Sequence, residues 1–190
     1  NTVLSGTGAL TKTGAGTLRL GAANTYSGGT FVTEGTLGLG AHNAVGTGAI
    51  TITGGGIRAE GQARTLTNAL FTSGTITVGR STTFAGVTTL NGDTTIIASN
   101  PDGLANADTT FSGTISGNFG VTLAEGAGSL GIGTGYIVFS GANTYTGGTT
   151  VTSRLLITSD AALGASSGAL TLDGGTLRES TSILSTRDLV

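Results

Sequence analysis

The chain contains no cysteine, methionine or tryptophan, a single proline, and only 9% charged residues. Without cysteine, neither a disulfide framework nor a thiolate metal site is available. That absence also suits a chain that crosses a cell envelope unfolded. The eight basic residues are scattered one at a time from Lys12 to Arg187, and the formal net charge is only -2. The clustered Lys and Arg that phosphates reward are missing, which argues against nucleic acid as a partner. No apolar run approaches the length of a membrane-spanning helix and no amphipathic basic helix is visible, so no membrane insertion by this segment is expected. The sequence opens at Asn1 with neither Met nor a signal-peptide pattern, which marks it as processed or as a piece of something longer.

What is present is glycine, 36 of 190 residues, together with abundant threonine and 37% hydrophobic residues. Disordered and linker sequences combine glycine with few aliphatics or a high net charge, and this chain has neither. Val, Ile, Leu and Thr come in short bursts separated by Gly, Asn and Ser, the pattern of short strands and tight turns, and no segment reads as a helix.

An internal repeat organises the bursts. Gly14, Gly16, Leu18, Leu20, Asn24, Thr25, Tyr26, Gly28, Gly29, Thr30, Val32 and Thr33 are answered 119 residues later, from Gly133 to Thr152, with Ile137 and Phe139 standing for Leu18 and Leu20. The similarity continues with one-residue slips: Ala44-Val45-Gly46 answers Ala162-Leu163-Gly164, and Gly55-Gly56-Ile57-Arg58 answers Gly175-Thr176-Leu177-Arg178. Residues 1–190 therefore read as one domain or segment, with repeat copies near 10–60 and 130–180 and a less regular middle near 61–129. Alternation places Leu18 and Leu20 on one face of a strand and Arg19 on the other. Further strands are expected around Leu37 and Leu39, at Ile50 to Ile52 and near Ile57. Inward ladders of Leu18, Leu20, Ile50, Ile52, Val151 and Leu172 follow.

Such short strands with Gly and Asn corners fit an all-β, right-handed parallel β-helix, a β-solenoid in which each coil adds one strand to each of several parallel sheets. At roughly 20 to 25 residues per coil the chain makes about eight rungs, a rod roughly 40 Å long. A solenoid end exposes unpaired backbone and apolar core. The terminal rungs, around Val3-Leu4 and Leu184 to Val190, are therefore the expected contact points for neighbouring solenoid segments or for other copies stacked end to end.

Leu10-Thr11-Lys12-Thr13-Gly14-Ala15-Gly16-Thr17-Leu18-Arg19-Leu20, then Asn24-Thr25-Tyr26-Ser27-Gly28-Gly29-Thr30, Val32 and Gly35-Thr36-Leu37, closely resembles the passenger-associated repeat of bacterial autotransporters. The second copy, Gly133 to Val151, departs where Gly131 stands for Lys12 and where Ser153-Arg154-Leu155-Leu156 replaces the expected Gly-Thr-Leu. The resemblance implies a right-handed parallel β-helix exported through the outer membrane and displayed on, or shed from, a Gram-negative cell. It also implies a scaffold that assists secretion and folding, with residues that bind no cofactor.

The candidate sites are few. Gly164-Ala165-Ser166-Ser167-Gly168 matches G-x-S-x-G, but a nucleophile elbow needs a strand before and a helix after, and a strand-like segment follows here. His42, the only histidine, lies in a corner far from Ser166 in sequence and is expected to be a solvated loop residue. One imidazole cannot make a multi-histidine metal set. Asn100, Asp102, Asn106 and Asp108 form the only dense oxygen-rich stretch. Its Pro101-Asp102-Gly103 core is a turn signal, and the spacing misses the calcium patterns. Glu34, Arg58 and Arg80, and likewise Arg154 and Arg178, are about one coil apart and could stack as a surface ladder. Tyr26 and Tyr145 occupy equivalent positions, which points to a shared packing role at the corner.

These readings give no catalytic, cofactor-binding or metal-binding residue and no cofactor. The expected function is a structural or adhesive rod of a secreted, surface-exposed protein, meeting neighbouring segments and host or cell-surface glycans or proteins. A self-assembling extracellular β-solenoid fibre is the alternative, and a carbohydrate-active β-helix enzyme the third reading.

Overall fold

The computed structural model describes residues 2–79, 81–99, 108–126 and 135–188. Every strand pairing among them is parallel, and each pairing joins a strand to the corresponding one a coil away, so the chain winds as a β-solenoid. Three faces result. The first stacks Leu10–Lys12, Thr30–Val32, Ile50–Ile52, the first halves of Leu70–Gly79 and Thr88–Ser99, and Ile115–Ser116. On the second, Thr17–Leu20, Thr36–Leu39, Gly56–Ala59 and the second halves of the two long strands are followed by Val121–Glu125, Thr149–Val151 and Leu170–Leu172. The third carries Arg64–Leu66, Thr82–Phe84, Thr109–Phe111, Ile137–Phe139, Arg154–Ile157 and Thr176–Glu179. The eight levels of the second face give eight rungs, a stack roughly 40 Å tall at the strand spacing. The only helical element among the described residues is a 3-10 turn, Asp160–Leu163.

Rung length varies along the rod. Leu10, Thr30, Ile50 and Leu70 are partners at intervals of 20 residues, whereas Thr94, Val121 and Thr149 are 27 and 28 apart. The two longest strands run round the corner between the first and second faces and merge them into one sheet, with a register shift between Leu90 and Thr94.

Strand alternation fills the interior with ladders. Ile76, Ile96, Leu123, Val151 and Leu172 are register partners, as are Leu18, Leu37, Ile57 and Val78. On the third face Phe84 stacks on Phe111 at 4.8 Å between centroids, and Phe111 meets Phe139 edge-on at 5.6 Å. These are geometries that aromatic quadrupoles favour. Leu20, Ile50, Ile52 and Val151 are buried as alternation predicts. Two members of the expected core are not: Leu18 is half-buried and Leu172 is 46% exposed. Both face inward in register, but each belongs to an outermost strand of its face, paired on one side only among the described residues.

Candidate functional site

Each repeat corner holds a buried asparagine and a buried tyrosine. Asn24 is buried, its Oδ1 accepts the Leu4 N–H at 2.8 Å, and its Nδ2 donates to the Ala44 carbonyl at 2.5 Å. Leu4 lies one coil before Asn24 and Ala44 one coil after, so a single amide clamps three levels of the rod. Asn143 repeats the arrangement, accepting from the Ile115 N–H at 2.7 Å and donating to the Ala162 carbonyl at 2.6 Å. Asparagine suits the place because its amide carries a neutral acceptor oxygen and a neutral donor nitrogen on separate atoms of one short side chain, so it can reach the rung before and the rung after at once.

Two residues on, the tyrosines close the corner. Tyr26 Oη lies 2.6 Å from Thr30 Oγ1, and Tyr145 Oη lies 2.6 Å from Thr149 Oγ1. Each threonine hydroxyl donates its one proton onward, Thr30 to the Val45 carbonyl and Thr149 to the Leu163 carbonyl, so each tyrosine must be the donor to its threonine. Burial raises both phenols, and Tyr145 is pushed up to about 12. The chain then passes over the ring at Gly164, where φ is +83° and an added Cβ would lie 2.9 Å from the Tyr145 ring. Only glycine meets both conditions there.

The remaining candidates are not brought together. Ser166 is exposed in a turn between the 3-10 turn and the strand Leu170–Leu172, so the strand-to-helix setting of a nucleophile elbow is missing. His42 is exposed in a turn of the second rung while Ser166 lies on the eighth, on the order of 25 Å apart along the axis. Of the oxygen-rich stretch, Asn100, Asp102 and Asn106 lie outside the described residues. Asp108 accepts the Tyr136 N–H at 2.7 Å, joining consecutive rungs. No group of three or more His, Cys, Asp or Glu able to hold a metal occurs among the described residues.

Among the described residues the expected charge ladder does not form. Arg58 has Gly38 and Gly79 as register partners and pairs within its own rung with Glu60 at 3.0 Å, where Arg19 also approaches to 3.7 Å. Glu34 is exposed, and Arg80 lies outside the described residues. Arg154 is in register with Thr176 and Arg178 with Leu156, so those two arginines do not stack either. Arg178 instead lies 5.8 Å over the Tyr136 ring. The rung is about 20 residues there, and the spacing of 24 from Glu34 to Arg58 overshoots it.

Sequence reasoning missed three buried cations. Lys12 donates to the carbonyls of Thr13, Gly14 and Glu34, Arg64 to those of Leu39 and Gly40, and Arg187 to a corner of the last rung. A signal was present for two of them: Lys12 alternates in phase with Leu10, and Arg64 with Leu66, so the strand period already turned both inward.

A family model described as the passenger-associated-transport-repeat matches residues 10–39 and 132–153. Comparison with curated proteins and with solved structures gives no match. The two matched segments contain the Asn24 and Asn143 clamps with their tyrosines, so sequence and geometry agree: this chain is a parallel β-solenoid with two segments similar to the passenger-associated-transport-repeat.

Proposed function

We propose that the chain is a non-catalytic segment of a secreted autotransporter passenger, serving as a structural or adhesive rod at the bacterial surface. The observation that carries this reading is the use of the family repeat as a rung clamp: Asn24, Tyr26, Asn143 and Tyr145 are buried and bonded to backbone or to threonine. Side chains so committed are not free to turn over a substrate. The separation of Ser166 from His42 supports the same view.

An adhesive role has a physical basis in the outer surface. Thr75, Thr95, Thr122, Thr150 and Thr171 are successive register partners on the second face, alternating with the inward ladder of Ile76, Ile96, Leu123, Val151 and Leu172. An uncharged column of hydroxyls and methyls at rung spacing suits polar, uncharged partners such as glycans. The test is a glycan array probed with the wild-type chain and with Thr122→Arg, alongside a screen for glycan cleavage. Retention that weakens in the variant, without cleavage products, is expected. Cleavage of any glycan would overturn the non-catalytic reading, and binding unaffected by Thr122→Arg would remove the hydroxyl column from it.

A second reading, a subunit of a fibre stacked end to end, is favoured by the apolar first level. Val3 is 52% and Leu4 41% exposed, next to an open hollow lined by Leu4, Ala9, Leu10 and Tyr26. Proline at Leu4 is a poor test, because the Leu4 N–H is the donor to Asn24. Val3→Lys places charge on the level without removing that bond. Filaments formed by wild type and lost in Val3→Lys, seen by light scattering and electron microscopy, would support the fibre; a monodisperse wild type would exclude it.

A further inference from the structure

The repeat extends one rung further than its sequence similarity suggests. In the first copy the Ile50 N–H bonds the Ala69 carbonyl at 2.8 Å, and in the second the Leu170 N–H bonds the Asp188 carbonyl at 3.1 Å. Asn68 and Arg187, each one residue before those carbonyls and 119 apart in sequence, therefore occupy the same place. The levels before them in the column are glycine in both copies, Gly28 and Gly48 in one, Gly147 and Gly168 in the other. An added Cβ at any of these four would lie within 3.0 Å of backbone atoms. At the third level the column accepts a side chain, which folds back over the corner of the rung before it.

What that side chain meets is a ring of oxygens. Asn68 Nδ2 donates to the Gly46 carbonyl at 3.2 Å and to the Gly48 carbonyl at 2.7 Å. Arg187 fills the corresponding corner more completely. Its Nε donates to Asp160 Oδ1 at 2.9 Å, one terminal nitrogen to the Ala165 carbonyl at 2.6 Å, and the other to the carbonyls of Gly164 at 2.6 Å and Asp160 at 3.0 Å. Longer contacts run to the Leu163 carbonyl at 3.3 Å and the Gly168 carbonyl at 3.4 Å, and the arginine side chain is 1% exposed. Several of these carbonyls end the 3-10 turn Asp160–Leu163, where a helical segment leaves acceptors without internal partners. Acceptors on every side, one of them a carboxylate, match the planar five-donor fork of a guanidinium and no neutral side chain.

We propose that the corner 160–168 is a guanidinium-binding site, occupied in cis by Arg187, and that its occupancy latches the segment after Thr176–Glu179 onto the rod. That segment has little else to hold it. Leu184 is 99% exposed, Ile183 is only half-buried, and Arg187 is the one buried residue between 181 and 188.

The test is limited proteolysis of the full chain with a broad-specificity protease, reading cleavage between 176 and 188 by mass spectrometry. Arg187→Ala should be cut there roughly tenfold faster or more, the factor expected when hydrogen bonds to a charged group are lost. Free guanidinium at low-millimolar concentration should slow that cleavage toward the wild-type rate, whereas equimolar ammonium chloride should not. Because guanidinium otherwise promotes unfolding, protection of the variant but not of wild type is a signature that mere structural weakening would not give. Arg187→Lys, with charge but no fork, should be cut faster than wild type and should not be protected by ammonium. Asp160→Asn, which keeps the carbonyls and loses the carboxylate, serves where Arg187→Ala disturbs the whole rod, and it too should expose the segment. Cleavage of Arg187→Ala at the wild-type rate, or equal protection by guanidinium and ammonium, would overturn the proposal.

Discussion

Replacing Asn143 by alanine tests whether the repeat is a clamp. The substitution removes one acceptor and one donor from a buried place and strands two backbone groups, the Ile115 N–H and the Ala162 carbonyl, on residues with no exposed surface. Each buried backbone group left without a partner costs about 1–3 kcal/mol. With partial relaxation of two such groups, the loss is about 3–4 kcal/mol. For a chain of this size that lowers the melting temperature by roughly 10 °C. Thr144→Ala is the control, because Thr144 is exposed beside the clamp and a surface change of this kind stays within about 0.5 kcal/mol. Urea unfolding followed by circular dichroism, with calorimetry on the same samples, gives both quantities. If Asn143→Ala melts within a degree or so of Thr144→Ala, the two bonds do not hold the rungs and the clamp argument fails.

Three other outcomes follow from the same geometry. Burial holds the Tyr145 phenol up to about 12 against an ordinary 10.0. The unfolded chain thus releases that proton first, and the associated stability is complete below pH 10 and lost as pH rises toward 12. Tyr145→Phe should flatten this alkaline decline in urea midpoints, and an unchanged decline would assign it elsewhere. Gly113→Ala should destabilise by about 2 kcal/mol or more, since its Cβ would run into the Gly86 carbonyl oxygen of the preceding rung; a neutral result would show that the rungs can part there. Leu37→Ala should cost about 3 kcal/mol and Leu18→Ala clearly less, because the two share one ladder but only Leu37 is covered on both sides. Equal losses in thermal melting would contradict the ladder order.

Legibility in the sequence followed the physics of each feature. Ladder positions such as Ile50 and Ile52 could be read because a strand's period fixes which way a side chain points. Alternation does not say whether another rung covers that side chain, which is why Leu18 and Leu172 point inward yet remain accessible. Stacking of charges was misread for a related reason. It depends on an exact register, and Arg58 misses Glu34 by the few residues that separate a nominal coil from a rung of 20. The buried Lys12, Arg64 and Arg187 were hidden by the sound general rule that cations face water. Corner carbonyls reverse that rule locally, because they leave acceptors inside the rod that only a donor reaching in can satisfy.

The two copies of the repeat are not superimposed by translation along the axis. Thr17–Leu20 lies on the second face, but its counterpart Ile137–Phe139 lies on the third; Thr30–Val32 is on the first face and Thr149–Val151 on the second. The 119 residues therefore span five rungs and one further face. The corner holding Asn24 precedes first-face strands, while that holding Asn143 precedes second-face strands. Yet the clamp keeps its geometry, with an N–H one coil before and a carbonyl one coil after in each case. Such an amide needs only two parallel neighbours at rung spacing, a condition that every corner of a parallel solenoid supplies. The repeat is thus a device of the corner and not of a particular face. Rungs of 20, 27 or 28 residues can separate its copies without weakening either clamp, because each closes over the rungs beside it and takes no account of the rest.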